Sequence, residues 1–215
     1  MKKNVYSLVL SDAVIAGIDR MAYSMGMSRS ALINKILAEQ ISYVTPEMRI
    51  NYIFGELEAL MRDVESFRIA MQPTGSVFSL NSALAYKYNP TVKYNLELFK
   101  SYGSQNEFGI LRISMRSKNA ALLTLMDGFF ALLSAIERKY TGYSITSSEL
   151  GRYEKVLRLK NQANDSGLGE GIAAYINTVD NAMKLFFSYA DDRAYTSREI
   201  EKLYAAYLRN NATII

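Results

Sequence analysis

Apolar residues recur along this chain with two different periods, and each change of period marks an element. From Asn4 to Leu10 the side chains alternate, so Tyr6, Leu8 and Leu10 share one face of a short strand while Val5, Ser7 and Val9 share the other. The larger apolar set is expected to face a core. Ser11 then stands at an N-cap position, with Asp12 beside the positive end of the helix it opens. Ile15, Ile18, Ala22 and Met25 fall at helical spacing and predict a helix from about Asp12 to Met25. Gly26 suits the left-handed stop, Ser28 caps a second helix running to about Ser42, and Leu32, Ile33, Ile36, Leu37 and Ile41 form its apolar face.

Beyond a brief linker at Ser42 to Thr45, Thr45 as cap and Pro46 in the first turn predict a long helix over 46–72. Its apolar residues fall on heptads, Ile50, Leu57, Val64 and Met71 in one series and Ile53, Leu60 and Phe67 in the other. Phe54 and Met61 widen that stripe, so both a dimer-forming helix and a core helix fit. The period then becomes two. Strands are expected within about 83–116, a three-stranded antiparallel meander with Val92, Tyr94, Leu96 and Leu98 inward on one strand and Leu111, Ile113 and Met115 inward on another. Its polar face carries Lys93, Arg112 and Arg116 with Tyr86, Lys87 and Tyr88 nearby, either a basic and aromatic nucleic-acid platform or a solvated face.

Helices are expected over about 119–209. The stretch from Ala120 to Tyr140 is apolar nearly all round and reads as the central helix of a second domain; its lone Asp127 must be paired or reach an edge, as a structural contact or a ligand anchor. Ser147 or Ser148 is expected to cap a helix ending near Asn164, Gly171 to Ala190 a further one, and Thr196-Ser197-Arg198-Glu199 to open the last as a capping box, leaving Asn210 to Ile215 frayed. The glycine-rich run Asp165 to Gly171 has neither the dinucleotide nor the P-loop spacing and reads as an interhelical loop.

Composition narrows the chemistry. The 215 residues include no Cys and no His, so thiolate and imidazole metal sites are excluded and the commonest general base is missing. No nucleophile and base assemble in the sequence; an enzyme, a catalytic residue, a metal site and a cofactor are not expected. Net charge is +4 and the isoelectric point about 9.1, compatible with nucleic acid. The longest apolar stretch, Ala120 to Ile136, is interrupted by Thr124, Asp127, Gly128 and Ser134, so no membrane span and a cytoplasmic location are expected.

A unit of forty-odd residues with one unpaired strand and two apolar helix faces buries too little surface to stand alone, and the simplest partner is a second copy. In that dimer Tyr6, Leu8, Leu10, Ile33, Ile36 and Leu37 would form the shared core. The strand followed by LSDAVIAGIDRMAYSMGMSRSALINKILAEQI resembles the ribbon-helix-helix family of Arc, MetJ and CopG-like DNA-binding proteins over residues 2–42. That resemblance implies a two-stranded ribbon entering the major groove of double-stranded DNA, with Val5, Ser7 and Val9 facing bases. It also implies phosphate contacts at the start of the second helix, through Ser28, Arg29 and Ser30, and Lys2 and Lys3 add a basic arm. Val5 and Val9 can contact only a thymine methyl, which departs from the polar residues that family offers to bases.

The resulting expectation is an α+β, mainly helical chain: a ribbon-helix-helix unit over 1–44 and, over 45–215, a helical domain with a small three-stranded sheet for oligomerisation or for binding a protein partner or effector. The function expected is that of a homodimer, able to form higher oligomers on DNA, acting as a transcriptional repressor or a plasmid or phage regulator. The alternatives are an accessory protein of conjugation or plasmid partition, and an antitoxin or adaptor whose N-terminal unit mainly dimerises.

Overall fold

The computed structural model describes residues 7–41, 43–87, 89–160, 167–210 and 214. The chain divides into two compact units, Met1–Met48 and Arg49–Ile215.

In the first unit α1 spans Asp12–Ser24 and α2 spans Arg29–Gln40, close to the helices expected from apolar spacing. Gly26 between them has φ +63°, the left-handed conformation that ends a helix without the strain a Cβ would add. The Ser28 side chain accepts from the Ala31 amide at 3.3 Å and caps α2, whereas Ser11 sits at the N-cap of α1 without a side-chain hydrogen bond. The expected strand over 4–10 is corrected where it is described: among the described residues Ser7 to Leu10 pairs with nothing and is not a strand. A lone strand has no ladder to join, so its alternation cannot be realised within one copy. Residues 4–6 lie outside the described residues.

The second unit departs further from expectation. The sheet has six strands, not three, in the order β1-β2-β3-β4-β6-β5, and every neighbouring pair is antiparallel. The strands are β1 (Phe67–Thr74), β2 (Val77–Ala83), β3 (Thr91–Leu98), β4 (Glu107–Met115), β5 (Thr146–Glu149) and β6 (Arg152–Arg158). Only β3 and β4 match the expected meander. The strand expected over Ala83 to Tyr88 is instead the end of β2 and a turn, with Tyr88 outside the described residues. Helix α3 covers Pro46–Arg62 and stops ten residues before the expected end at 72, because Phe67 and Ile69 belong to β1. The helix expected over 147–164 is the β5–β6 hairpin.

Three further helices are α4 (Ala120–Thr141), α5 (Leu168–Ser188) and α6 (Arg193–Asn210). One face of the sheet, through Phe78, Leu80, Tyr94, Leu96, Leu111 and Ile113 among others, shares a single core with α3, α4, α5 and α6. Within α3, Ile50, Ile53, Phe54, Leu57 and Met61 are buried and Leu60 is exposed, so its wide stripe serves its own domain's core. By length and composition α4 is apolar enough to cross a membrane, contrary to the expectation from its polar interruptions, yet Met126, Phe129 and Leu133 are fully buried in this core. Helix α6 begins three residues before the expected capping box, with Asp192 accepting from the Tyr195 amide at 2.9 Å. The expected frayed tail is corrected at Ile214, which is 1% exposed and bridges to Leu159.

Candidate nucleic-acid interface

The residues assigned to DNA contact all lie in the first unit. Val5, Tyr6, Lys2 and Lys3 fall outside the described residues. Ser7 and Val9 are exposed, Val9 completely, and so are Leu8 and Leu10. At the start of α2, Ser28, Arg29 and Ser30 are exposed, with the Ser28 and Ser30 hydroxyls 3.3 Å apart. Four amides with no helical acceptor and a positive dipole end meet there, the physical requirement for an anion site. The residue that departs from the expected arrangement is Arg29. Its Nε and Nη2 each donate to a carboxylate oxygen of Asp19 on α1, both at 2.6 Å. That fork holds the Asp19 carboxyl below its ordinary range, chiefly through the hydrogen bond from Arg29. Asp19 thus takes up the Arg29 charge and two of its five N–H donors, and competes with any phosphate for the guanidinium. Sequence reading missed this pair because ten positions separate its members and only the Met25–Gly26 turn brings them together.

The expected dimer core is half-buried at Ile33 and exposed at Leu8, Leu10, Ile36 and Leu37 in the single chain. From Leu8 to Val44 twelve large apolar side chains are exposed, while only Ala22, Leu32 and Ala38 among the apolar residues are buried. So lopsided a ratio over one short segment is unlike scattered surface hydrophobics.

The second unit holds its polar groups inside. Glu137 of α4, fully buried, accepts from Lys155 of β6 at 3.0 Å and from the Tyr175 hydroxyl of α5 at 2.6 Å. Burial raises the Tyr175 hydroxyl well above its ordinary pKa, with the Glu137 carboxylate adding to the effect. Asp180 of α5 accepts from the Tyr94 hydroxyl of β3 at 3.0 Å, and Asp127 of α4 accepts from Tyr153 of β6. Asp127 is thus paired with a strand tyrosine, the structural one of its two readings. These carboxylates tie helices to the sheet, and each is occupied by a partner from its own domain.

On the outer face of the sheet Arg112 donates to Glu97 at 2.7 Å and to Glu154 at 2.9 Å, so its charge is taken up locally. The aromatic half of the expected platform is missing from that face. Tyr86 stacks its ring edgewise on Phe187, and Tyr88 lies outside the described residues. One cleft of 240 Å³ lies beside Tyr140, Arg198 and Arg209 and another of 430 Å³ beside Gly55, Glu58 and Arg62 on α3, and no group of three metal-binding side chains occurs among the described residues. No family model matches this chain, and no match is found among curated proteins or solved structures.

Proposed function

We propose that the chain is a dimeric double-stranded DNA-binding protein that acts as a transcriptional repressor or as a regulator of a plasmid or phage. The observation that carries this reading is the first unit's exposed apolar surface: twelve large side chains between Leu8 and Val44, on a segment too short to bury them itself. A second copy of the same segment supplies the missing core, with Ile33, Ile36 and Leu37 of α2 meeting their counterparts across a two-fold axis. The segments before α1 then lie together at that axis and put Ser7 and Val9 of both copies against one groove. The exposed start of α2, with Ser28 and Ser30, faces the flanking phosphates.

Five basic residues against four acidic ones over 1–48 make the electrostatic part of such binding modest. Recognition then leans on groove shape and on repeated sites occupied side by side. Footprinting on the DNA that surrounds the chain's own gene tests the proposal, with protection of a short repeat as the expected result. No protection by a chain that sediments as a dimer overturns it. The Asp19–Arg29 fork favours a second reading, in which the first unit only dimerises and a protein partner binds elsewhere. Co-purification of such a partner without DNA protection selects that reading.

A further inference from the structure

The register of the sheet brings together residues that are far apart in the chain. Arg68 of β1 pairs with Asn81 of β2, Asn81 with Lys93 of β3, Lys93 with Ser114 of β4, and Ser114 with Arg152 of β6. The flanking rows Leu80, Tyr94, Ile113 and Tyr153 on one side and Ser82, Val92 and Met115 on the other are buried, so these five residues form one straight row on the outer face. Arg68, Lys93 and Arg152 are exposed, and Arg116, two residues past Ser114, continues the same face beyond the end of β4.

The carboxylates of this face lie elsewhere. Glu97 and Glu154 sit in other rows and both bind Arg112, while Glu149 at the sheet edge pairs with Arg152. Among the described residues Arg68, Lys93 and Arg116 have no ion pair. Strand spacing puts Arg68 about 10 Å from Lys93, and Arg116 lies about 8 Å further on, within reach of one run of phosphates for side chains of this length.

We propose that this half of the sheet is a second nucleic-acid contact, which grips the phosphate backbone of a duplex through Arg68, Lys93 and Arg116 without reading sequence. The partner follows from the chemistry of the row. Its uncharged members, Asn81 and Ser114, donate hydrogen bonds to phosphate oxygens, which suits a polyanion. No aromatic ring lies in the row to stack on unpaired bases, and no large apolar side chain lies in it to enter a lipid surface. This inference stands on the second unit alone and holds whether or not the first unit binds DNA.

The test compares the full chain with R68Q/K93Q/R116Q by fluorescence anisotropy on a duplex of arbitrary sequence, between about 50 and 200 mM salt. The expected result is a dependence of log affinity on log salt that is shallower by about 2 to 3, since each lost phosphate contact removes roughly 0.9. The conservative set R68K/K93R/R116K, with the same charge, keeps the wild-type slope. An unchanged slope in the glutamine variant, or a wild-type chain that binds no duplex at the low-salt end, overturns the proposal. So does Lys93-dependent binding to phosphatidylserine vesicles without duplex binding, which would make the partner a membrane. Arg29→Ala separates the two sites. If it abolishes all binding while the sheet variant changes nothing, the first unit alone contacts DNA. If it changes nothing while the sheet variant lowers the slope, the sheet contact stands and Arg29 takes no part in the binding.

Discussion

The two units handle apolar and charged side chains in opposite ways. The second closes a core around six strands and four helices and places an ion pair inside it, Lys155 and Glu137, both nearly inaccessible to solvent. The first keeps its ion pairs outside, Asp19 with Arg29 and Lys35 with Glu39, and leaves most of its large apolar side chains there too. A buried ion pair survives only in a structure complete enough to supply every partner. An exposed apolar face makes sense only in a structure that another molecule completes. The difference sets a domain with a closed core against a unit whose large apolar side chains stay mostly exposed.

The largest expected effect breaks the self-sufficient side. Lys155→Met leaves the Glu137 carboxylate buried with only Tyr175 to meet it and is expected to cost about 3–5 kcal/mol, the usual result of removing one partner from a buried pair. Urea unfolding measures the loss. The double variant Lys155→Met, Glu137→Leu removes both charges and should recover most of it. If the double variant is as unstable as the single, the pair positions α4 against β6 in a way that apolar packing cannot replace.

Lys155 also explains why half of the sheet was hidden from sequence reading. In β6 the inward positions are Tyr153, Lys155 and Leu157, and a lysine in the middle of the apolar set destroys the alternation that revealed β3 and β4. In β2 the buried Ser82, which shares the inward face with Phe78 and Leu80, does the same. At β1 the cause was an accident of count: Val64 and Phe67 continue the heptads of α3, and only Asp63 to Ser66 intervene between the helix and the strand. Elements whose buried positions are all apolar, or whose ends carry their own caps, were legible. Helices α1 and α2 with Ser28 and Gly26 are the clearest cases, and so is the Thr45 cap, which accepts from the Met48 amide at 3.1 Å. The candidate site was legible as a segment, but the Asp19–Arg29 fork, a contact across a turn, was not.

The next effect tests the incomplete side. Leu37→Ala removes a half-exposed apolar side chain that the dimer would bury, worth about 1–2 kcal/mol per copy. Because both copies carry the change, dimerisation should weaken roughly 30-fold or more. Sedimentation equilibrium measures it, and the thermal unfolding of the second unit should not move. A chain that is monomeric before the substitution would remove the contrast between the units altogether. A smaller loss is expected from Ser28→Ala, about 0.5–1 kcal/mol of helix stability through the lost cap on the Ala31 amide, read as reduced amide-exchange protection confined to α2.

The smallest effect is the most discriminating, because it concerns the charged contact made by Arg29 at the start of α2. Asp19 has a depressed folded pKa, so its pairing with Arg29 contributes above the unfolded carboxylate value and is lost as pH falls through the folded one. Both groups are solvent-exposed, so little stability goes with it. What changes is the availability of Arg29. If the start of α2 meets phosphate, the carboxylate competes with DNA for the same guanidinium, and Asp19→Asn should tighten duplex binding a few-fold at neutral pH. Wild-type affinity should rise toward that of the variant as acid protonates Asp19, and the variant should show no such rise. If Asp19→Asn weakens binding instead, the fork holds α1 against α2 in the binding geometry. If it leaves binding unchanged, Arg29 does not reach the DNA and the first unit grips phosphate with backbone amides alone.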